Sequence, residues 1–332
     1  MKIAIVSPCH IPPTKDWIYA LQREAKLGKA DVFIVDDSDG KLGELPEEFQ
    51  VFGYDKQKEF LGELYEDFAS IFHKSSACRI FGHIVAYAEG YDIVIGLDSD
   101  CVVPFYFVQK HLAFLGQTKA HGWTNPLGGS QLYPRGFPYS MRNWKIVANM
   151  GMWDNVLDLN GKDRKPNEPQ RVNMPGYNIA PAPIPFSGMN FALTRDVLFG
   201  FLFLPNFKDG EDDHRRIDDI WGGYIFQKLL HQMKLGVSYG QPIVFHDTVV
   251  IAEEDAAEEA AMYKNEDAFM KEVDKRVSAI LEALSEKDNL TMAGVMNCFI
   301  TEWTMASRDQ KFYGLLPAFE WWSKVINKYA GV

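Results

Sequence analysis

The stretch "DIVIGLDSDCVV", residues 92–103, is an apolar run that ends in two aspartates, Asp98 and Asp100, with Ser99 between them. A short apolar run bounded by polar residues reads as a buried strand, and strands buried on both faces belong to parallel sheets. Two similar runs precede it, "KIAIVS" (2–7) and "DVFIVD" (31–36), the second closing in "VDDSDG". Helical spacing fills the intervals, as in "DWIYALQREAKLG" (16–28) and "KSSACRIFGHIVAYAEG" (74–90), whose serines stand where a helix start is capped. Strands alternating with helices predict an α/β fold built on a mostly parallel sheet flanked by helices.

Outward from that core, "FSGMNFAL" (186–193) predicts another strand, "DDIWGGYIFQKLLHQMKLG" (218–236) a helix, and "VSYGQPIVFH" (237–246) a strand pair or one bent strand. Between 119 and 190 the sequence is irregular and rich in proline, glycine and tryptophan, a texture that often carries function. From 251 to the end it reads as helical, which predicts a catalytic domain over 1–250 and a C-terminal helical region over 251–332 packed on it. The 332 residues are 47% hydrophobic, ample for a core. A formal net charge of −11 argues against nucleic acid and anionic membranes as partners. "VLFGFLFLP" (197–205) falls far short of the roughly 20 apolar residues of a membrane span. The opening "MKIAIVSPCH" reads as a first strand, not a signal sequence, so a cytoplasmic location is expected. Four cysteines without paired spacing predict reduced thiols, not zinc ligands or disulfides.

Ligands of parallel α/β sheets gather beyond the carboxyl ends of strands, where both aspartate-rich stretches fall. Asp98 and Asp100 can share a hard cation, Mn²⁺ or Mg²⁺, whose remaining ligands would be diphosphate oxygens, and His246, ending "PIVFH", suits such an ion as a third protein ligand. Ordinary turn chemistry is the competing reading of any single D-x-D. A phosphoaspartate phosphatase presents a similar strand and D-x-D, but it also needs a lysine and a further acidic pair around one phosphate. Asp37 and Asp39 follow the second strand, where a carboxylate can accept the N3–H of uracil. Lys74 and Arg79 flank a helix start, a poor place for cations unless an anion is held there. Asp218 and Asp219 begin a later helix, where acids also serve as caps. The polar loop 206–216 before them is a candidate lid.

Six blocks in order, "KSSACRIFG" (74–82), "LDSDCVV" (97–103), "YPRGFPYSMR" (133–142), "FSGMNFALTRD" (186–196), "RRIDDIWGG" (215–223) and "LGVSYGQPIVFH" (235–246), resemble the reversibly glycosylated polypeptides, the UDP-arabinopyranose mutase family. The resemblance implies a GT-A-like fold, a UDP-sugar as partner, a divalent metal, interconversion of pyranose and furanose forms, and reversible attachment of sugar to an arginine. That arginine carries over to Arg135, and the family's second essential arginine to Arg142. A guanidinium is a poor nucleophile, so binding the leaving diphosphate is the easier task for both. Asp98 and Ser99 join the nucleotide-sugar-binding set with Asp37, Asp39, Lys74 and Arg79; Asp98, Asp100 and His246 form the metal set. Asp218 or Asp219 would orient the sugar and move its protons. Plant members carry a third aspartate where this chain has Ser99, so a different sugar preference is expected here. An ordinary glycosyltransferase with a separate acceptor, and a non-catalytic subunit in a homo- or hetero-oligomer, are the rival readings. The adjacent Trp321 and Trp322 would favour the subunit if exposed.

Overall fold

The computed structural model describes residues 1–120, 122, 134–160, 162–163, 176, 178–248, 252–285, 290–305 and 311–332. Strand β1 (Ile3–Cys9), buried along its whole length, is followed by helix α1 (Lys15–Gly28), which Thr14 caps by accepting the Trp17 N–H at 3.2 Å. Then come β2 (Ala30–Asp36), β3 (Phe49–Phe52), α2 (Tyr54–Leu61), α3 (Tyr65–Phe72) and α4 (Ile80–Ala88), which leads into β4 (Ile93–Leu97). Short elements β5 (Cys101–Val102), α5 (Phe107–Leu112) and β6 (Thr118–Lys119) precede the long β7 (Trp144–Asn155). After β8 (Asn178–Ile179) and β9 (Asn190–Thr194), a hairpin of β10 (Phe207–Asp209) and β11 (Asp212–His214) leads to α6 (Ile220–Gln232) and β12 (Leu235–His246). Helices α7 (Ala252–Ser285), α8 (Met292–Met305) and α9 (Leu316–Ala330) follow.

The main sheet runs β3-β2-β1-β4-β9-β7-β12-β5, with β6 beside β7 and β8 beside β12. Along that path only β9 and β5 run against the rest. This is a mixed α/β, mostly parallel sheet flanked by helices, with a helical C-terminal region, consistent with a nucleotide-sugar transferase-like fold. The segment 237–246 is one bent strand: β12 shifts register against β7 between Gly240 and Ile243. The strand the irregular composition hides is β7, which joins β9 to β12.

Two apolar layers cover the sheet. One lies under α1 and α5, with Trp17, Leu21, Ile34, Ile95 and Val108. The larger joins sheet residues such as Val6, Val94 and Leu193 to Phe269 of α7, Phe299 of α8 and Trp321 of α9. Helix α4 lies so close to the sheet that a Cβ on Gly82 would stand 2.4 Å from Val6 Cγ1. Trp321 and Trp322 are buried, their indoles donating to the carbonyls of Leu64 and Phe199 at 3.0 Å each, so they pack the core and present no surface.

Candidate active site

The carboxyl ends of β1, β4, β7 and β12 open on one cleft of about 840 Å³, within the usual range for a ligand site. Arg79 lies at its floor, 2% exposed. Its Nε donates to the Ser76 carbonyl at 2.9 Å, Nη1 to the Gly188 carbonyl, and Nη2 lies 2.7 Å from Asp98 Oδ1. This guanidinium braces three chain segments, so its charge is already matched within the protein. Burial raises Asp98 above the usual carboxylate range; Asp100 and Asp218 add to the rise and Arg79 opposes it.

Asp218 and Asp219 face the same floor. Asp218 Oδ2 accepts the Ser76 hydroxyl and Asp219 Oδ2 accepts the Gly188 N–H, each at 2.6 Å. Burial, with Asp218 and Asp158 nearby, holds the Asp219 carboxyl well above its ordinary range, which favours its protonated form.

Asp100 meets His246 across the β5–β12 pairing, with Oδ2 3.4 Å from Nε2. The Val156 carbonyl accepts from Nδ1 at 2.7 Å, which fixes Nδ1 as a donor and leaves Nε2 facing Asp100. Two ligands of one small cation stand about 3 Å apart, so this carboxylate and imidazole fit Mn²⁺ or Mg²⁺. Cys101 lies within the same group, but burial, then Asp100 and Asp98, push its thiol far up and leave it neutral. Burial works against charge on His246, yet Asp100 raises it, and His246 in turn holds Asp100 below its ordinary value. Of the expected metal set the structure therefore joins Asp100 to His246 and turns Asp98 Oδ1 to Arg79.

The aspartates after β2 are mostly turn chemistry. Asp36 Oδ1 accepts the Ser38 N–H at 2.8 Å and its hydroxyl at 2.6 Å, closing the loop. Asp37 is fully buried: Oδ1 accepts the Tyr54 hydroxyl at 3.1 Å, and Oδ2 accepts the Lys74 N–H at 2.5 Å and lies 3.2 Å from His10 Nδ1. Asp39 is exposed with φ +60° and does not line the cleft. Lys74, also left-handed at φ +59°, does line it. Ser99 is turned away, beside the buried Cys9 thiol, which burial pushes up to about 12.

Arg135 and Arg142 are not brought to the cleft. Arg135 is exposed, and Arg142 lies over the Tyr139 ring at 3.8 Å and donates to the Phe137 carbonyl at 3.0 Å. Both precede the start of β7, whose first cleft residue is Met150; from Trp144 to Met150 the extended chain covers about 20 Å. The rest of "YPRGFPYSMR", Tyr133, lies outside the described residues.

Sequence reasoning missed the opposite wall, which α7 supplies through Asp255, Glu258, Glu259, Met262 and Tyr263. Acids recurring at i, i+3 and i+4 read as a solvated helix face, and only their exposure to the cleft distinguishes them. The 206–216 segment is no free lid. Arg216 binds Asp255 at 2.7 Å and Glu259 at 3.3 Å, and Lys264 binds Asp212 at 2.7 Å, fastening the hairpin to α7.

The profile of the family described as reversibly glycosylated polypeptide matches residues 19–325. UDP-arabinopyranose mutase 1 of Oryza sativa subsp. japonica is 27% identical over 189 residues, 52% of this chain and 51% of that protein. A probable UDP-arabinopyranose mutase 1 of Solanum tuberosum is 27% identical over 233 residues, 65% of this chain and 62% of its own. UDP-arabinopyranose mutase 3 of Arabidopsis thaliana is similar at 27% over 189 residues, covering 52% and 51%. The chain thus spans between half and two thirds of the length of these relatives. No helix among the described residues is long and apolar enough to cross a membrane.

Proposed function

The chain belongs to the reversibly glycosylated polypeptide family, and on that premise we propose that it is a metal-dependent UDP-sugar mutase that exchanges the pyranose and furanose forms of a UDP-linked sugar. The observation that carries this reading is the sharing of one cleft by the Asp100–His246 pair, 3.4 Å apart, and the adjacent carboxyls of Asp218 and Asp219. Asp100 and His246 would hold Mn²⁺ or Mg²⁺, which supplies charge neutralisation to a leaving diphosphate. Lys74 adds a positive charge to the cleft lining.

Exchanging ring forms requires the anomeric bond to UDP to break and re-form while one sugar hydroxyl loses a proton and the former ring oxygen gains one. Two adjacent carboxyls facing one cleft can divide that task between them. Asp219, whose burial favours the protonated form, would be the donor, and Asp218, beside it, the acceptor. The acidic α7 wall, with Glu259 and Tyr263, lies where sugar hydroxyls would find acceptors. Solvent must be kept from the sugar between bond breaking and recapture, and the segment fastened to α7 borders the cleft through Asn206, Arg215 and Arg216.

The test is incubation with Mn²⁺ and a panel of UDP-sugars, followed by nucleotide-sugar chromatography and intact-mass analysis. A changed ring form with conserved nucleotide is the expected result. Release of free sugar alone, or turnover only with an added acceptor, would replace the mutase by a hydrolase or a transferase.

A further inference from the structure

Most cations of the cleft are already engaged. Arg79 faces Asp98, Arg215 faces Asp213 and Glu258, and Arg216 faces Asp255 and Glu259. Carboxylates occupy much of the remaining wall, so a diphosphate entering here meets like charge along most of its path. Lys74 differs: it is exposed, lines the cleft, and forms no ion pair among the described residues.

His10 stands beside it. One oxygen, Asp37 Oδ2, takes the Lys74 N–H at 2.5 Å and lies 3.2 Å from His10 Nδ1. The Asp37 side chain is 0% exposed, whereas the His10 ring is 40% exposed and lines the cleft. Nδ1 is the ring nitrogen turned to the Asp37 carboxylate, whose oxygens suit an N–H donor. Nε2 makes no bond to the protein among the described residues and is left for a ligand.

We propose that His10, oriented by Asp37, is a diphosphate-binding residue whose Nε2–H donates to a phosphate oxygen next to the Lys74 ammonium. The assignment rests on the UDP-sugar reading above and changes the part played by Asp37. Its carboxylate, holding Tyr54, Lys74 and His10, is a positioning group that acts through the imidazole and does not meet the base. With Asp37 behind the ring and a phosphate in front of it, both ring nitrogens face oxygen acceptors, the arrangement in which charge-assisted hydrogen bonds are strong.

The experiment is calorimetric titration of UDP and of inorganic pyrophosphate into the full chain in EDTA, so that no cation contributes. His10→Ala is expected to weaken both ligands by about tenfold. His10→Arg, which restores a donor and a charge, is expected to recover binding to within about threefold of the unaltered protein. UDP affinity unchanged in His10→Ala overturns the assignment. A loss seen with UDP but not with pyrophosphate also overturns it, since His10 would then meet the nucleoside. If the unaltered chain binds UDP neither in EDTA nor with Mn²⁺ restored, the UDP-sugar reading itself falls; if it binds UDP and His10→Ala is silent, only the His10 assignment does.

Discussion

Arg79 Nη2 and Asp98 Oδ1 lie 2.7 Å apart at the floor of the cleft, and the same guanidinium also holds the carbonyls of Ser76 and Gly188. One side chain thereby ties the turn before α4, the end of β4 and the approach to β9. The first aspartate of the D-S-D run is thus part of the frame, and the second, Asp100, is the one turned to His246.

Arg79→Met should lower stability by about 3–5 kcal/mol, the usual cost of leaving one member of a buried pair behind. Urea unfolding at pH 7 measures it. Adding Asp98→Asn to that variant should recover part of the loss, because the stranded carboxylate is gone. Equal instability of single and double variants would mean that the carbonyl contacts, not the ion pair, dominate.

Mn²⁺ binding should follow Asp100 and His246. Asp100→Asn and His246→Gln are each expected to weaken it by about a hundredfold, read by paramagnetic resonance of free Mn²⁺. Asp98→Asn should have a smaller effect, since its Oδ1 faces Arg79. Comparable losses at Asp98 and Asp100 would restore the three-residue set.

Two buried histidines set an acid limit on the fold. Burial, and for His83 the Arg79 charge as well, lowers both His83 and His111 to about 3. His111 sits between Asn149 and Asn190 at 2.9 Å each, whereas neither nitrogen of His83 has a hydrogen-bond partner among the described residues. Their folded values lie below the unfolded value of about 6.5, so the unfolded chain binds more protons across that window. Stability from these groups is complete above pH 6.5 and lost as pH falls toward 3, by roughly 3 kcal/mol per histidine at pH 4. His83→Leu should flatten the pH dependence of the urea midpoint between 6.5 and 4; an unchanged slope would assign acid sensitivity elsewhere.

The strands that made the fold legible are those buried on both faces. β1, β2 and β4 are continuous apolar runs, and nothing competes with that reading. β7 escaped because "WKIVANMGMWDN" mixes Asn, Gly and Met into a strand. The polar positions have a purpose that only the fold reveals: Asn149 accepts the Ser238 hydroxyl at 2.7 Å, donates to the Gln241 carbonyl at 2.9 Å and serves the β12 bend. Site residues fared similarly. Asp100 and His246 were recognisable by chemistry at strand ends, but His10 and the α7 wall are defined by neighbours distant in sequence. Which of Asp98 and Asp100 meets an arginine is likewise a tertiary fact.

Arg135 offers the last prediction, because its position separates two ways of attaching a sugar to the protein. It is exposed and precedes the amino end of β7, while the cleft lies beyond Met150 on the same strand, about 20 Å further along. Arg135 is not among the described residues that line the cleft. Arg135→Ala should therefore leave UDP affinity and ring interconversion within about twofold of the unaltered protein. If a sugar adduct forms on Arg135 at all, it should come from a second molecule, so its rate per chain should rise in proportion to protein concentration, read by intact mass across a dilution series. A rate independent of dilution, or loss of interconversion in Arg135→Ala, would bring this arginine into the cleft during turnover.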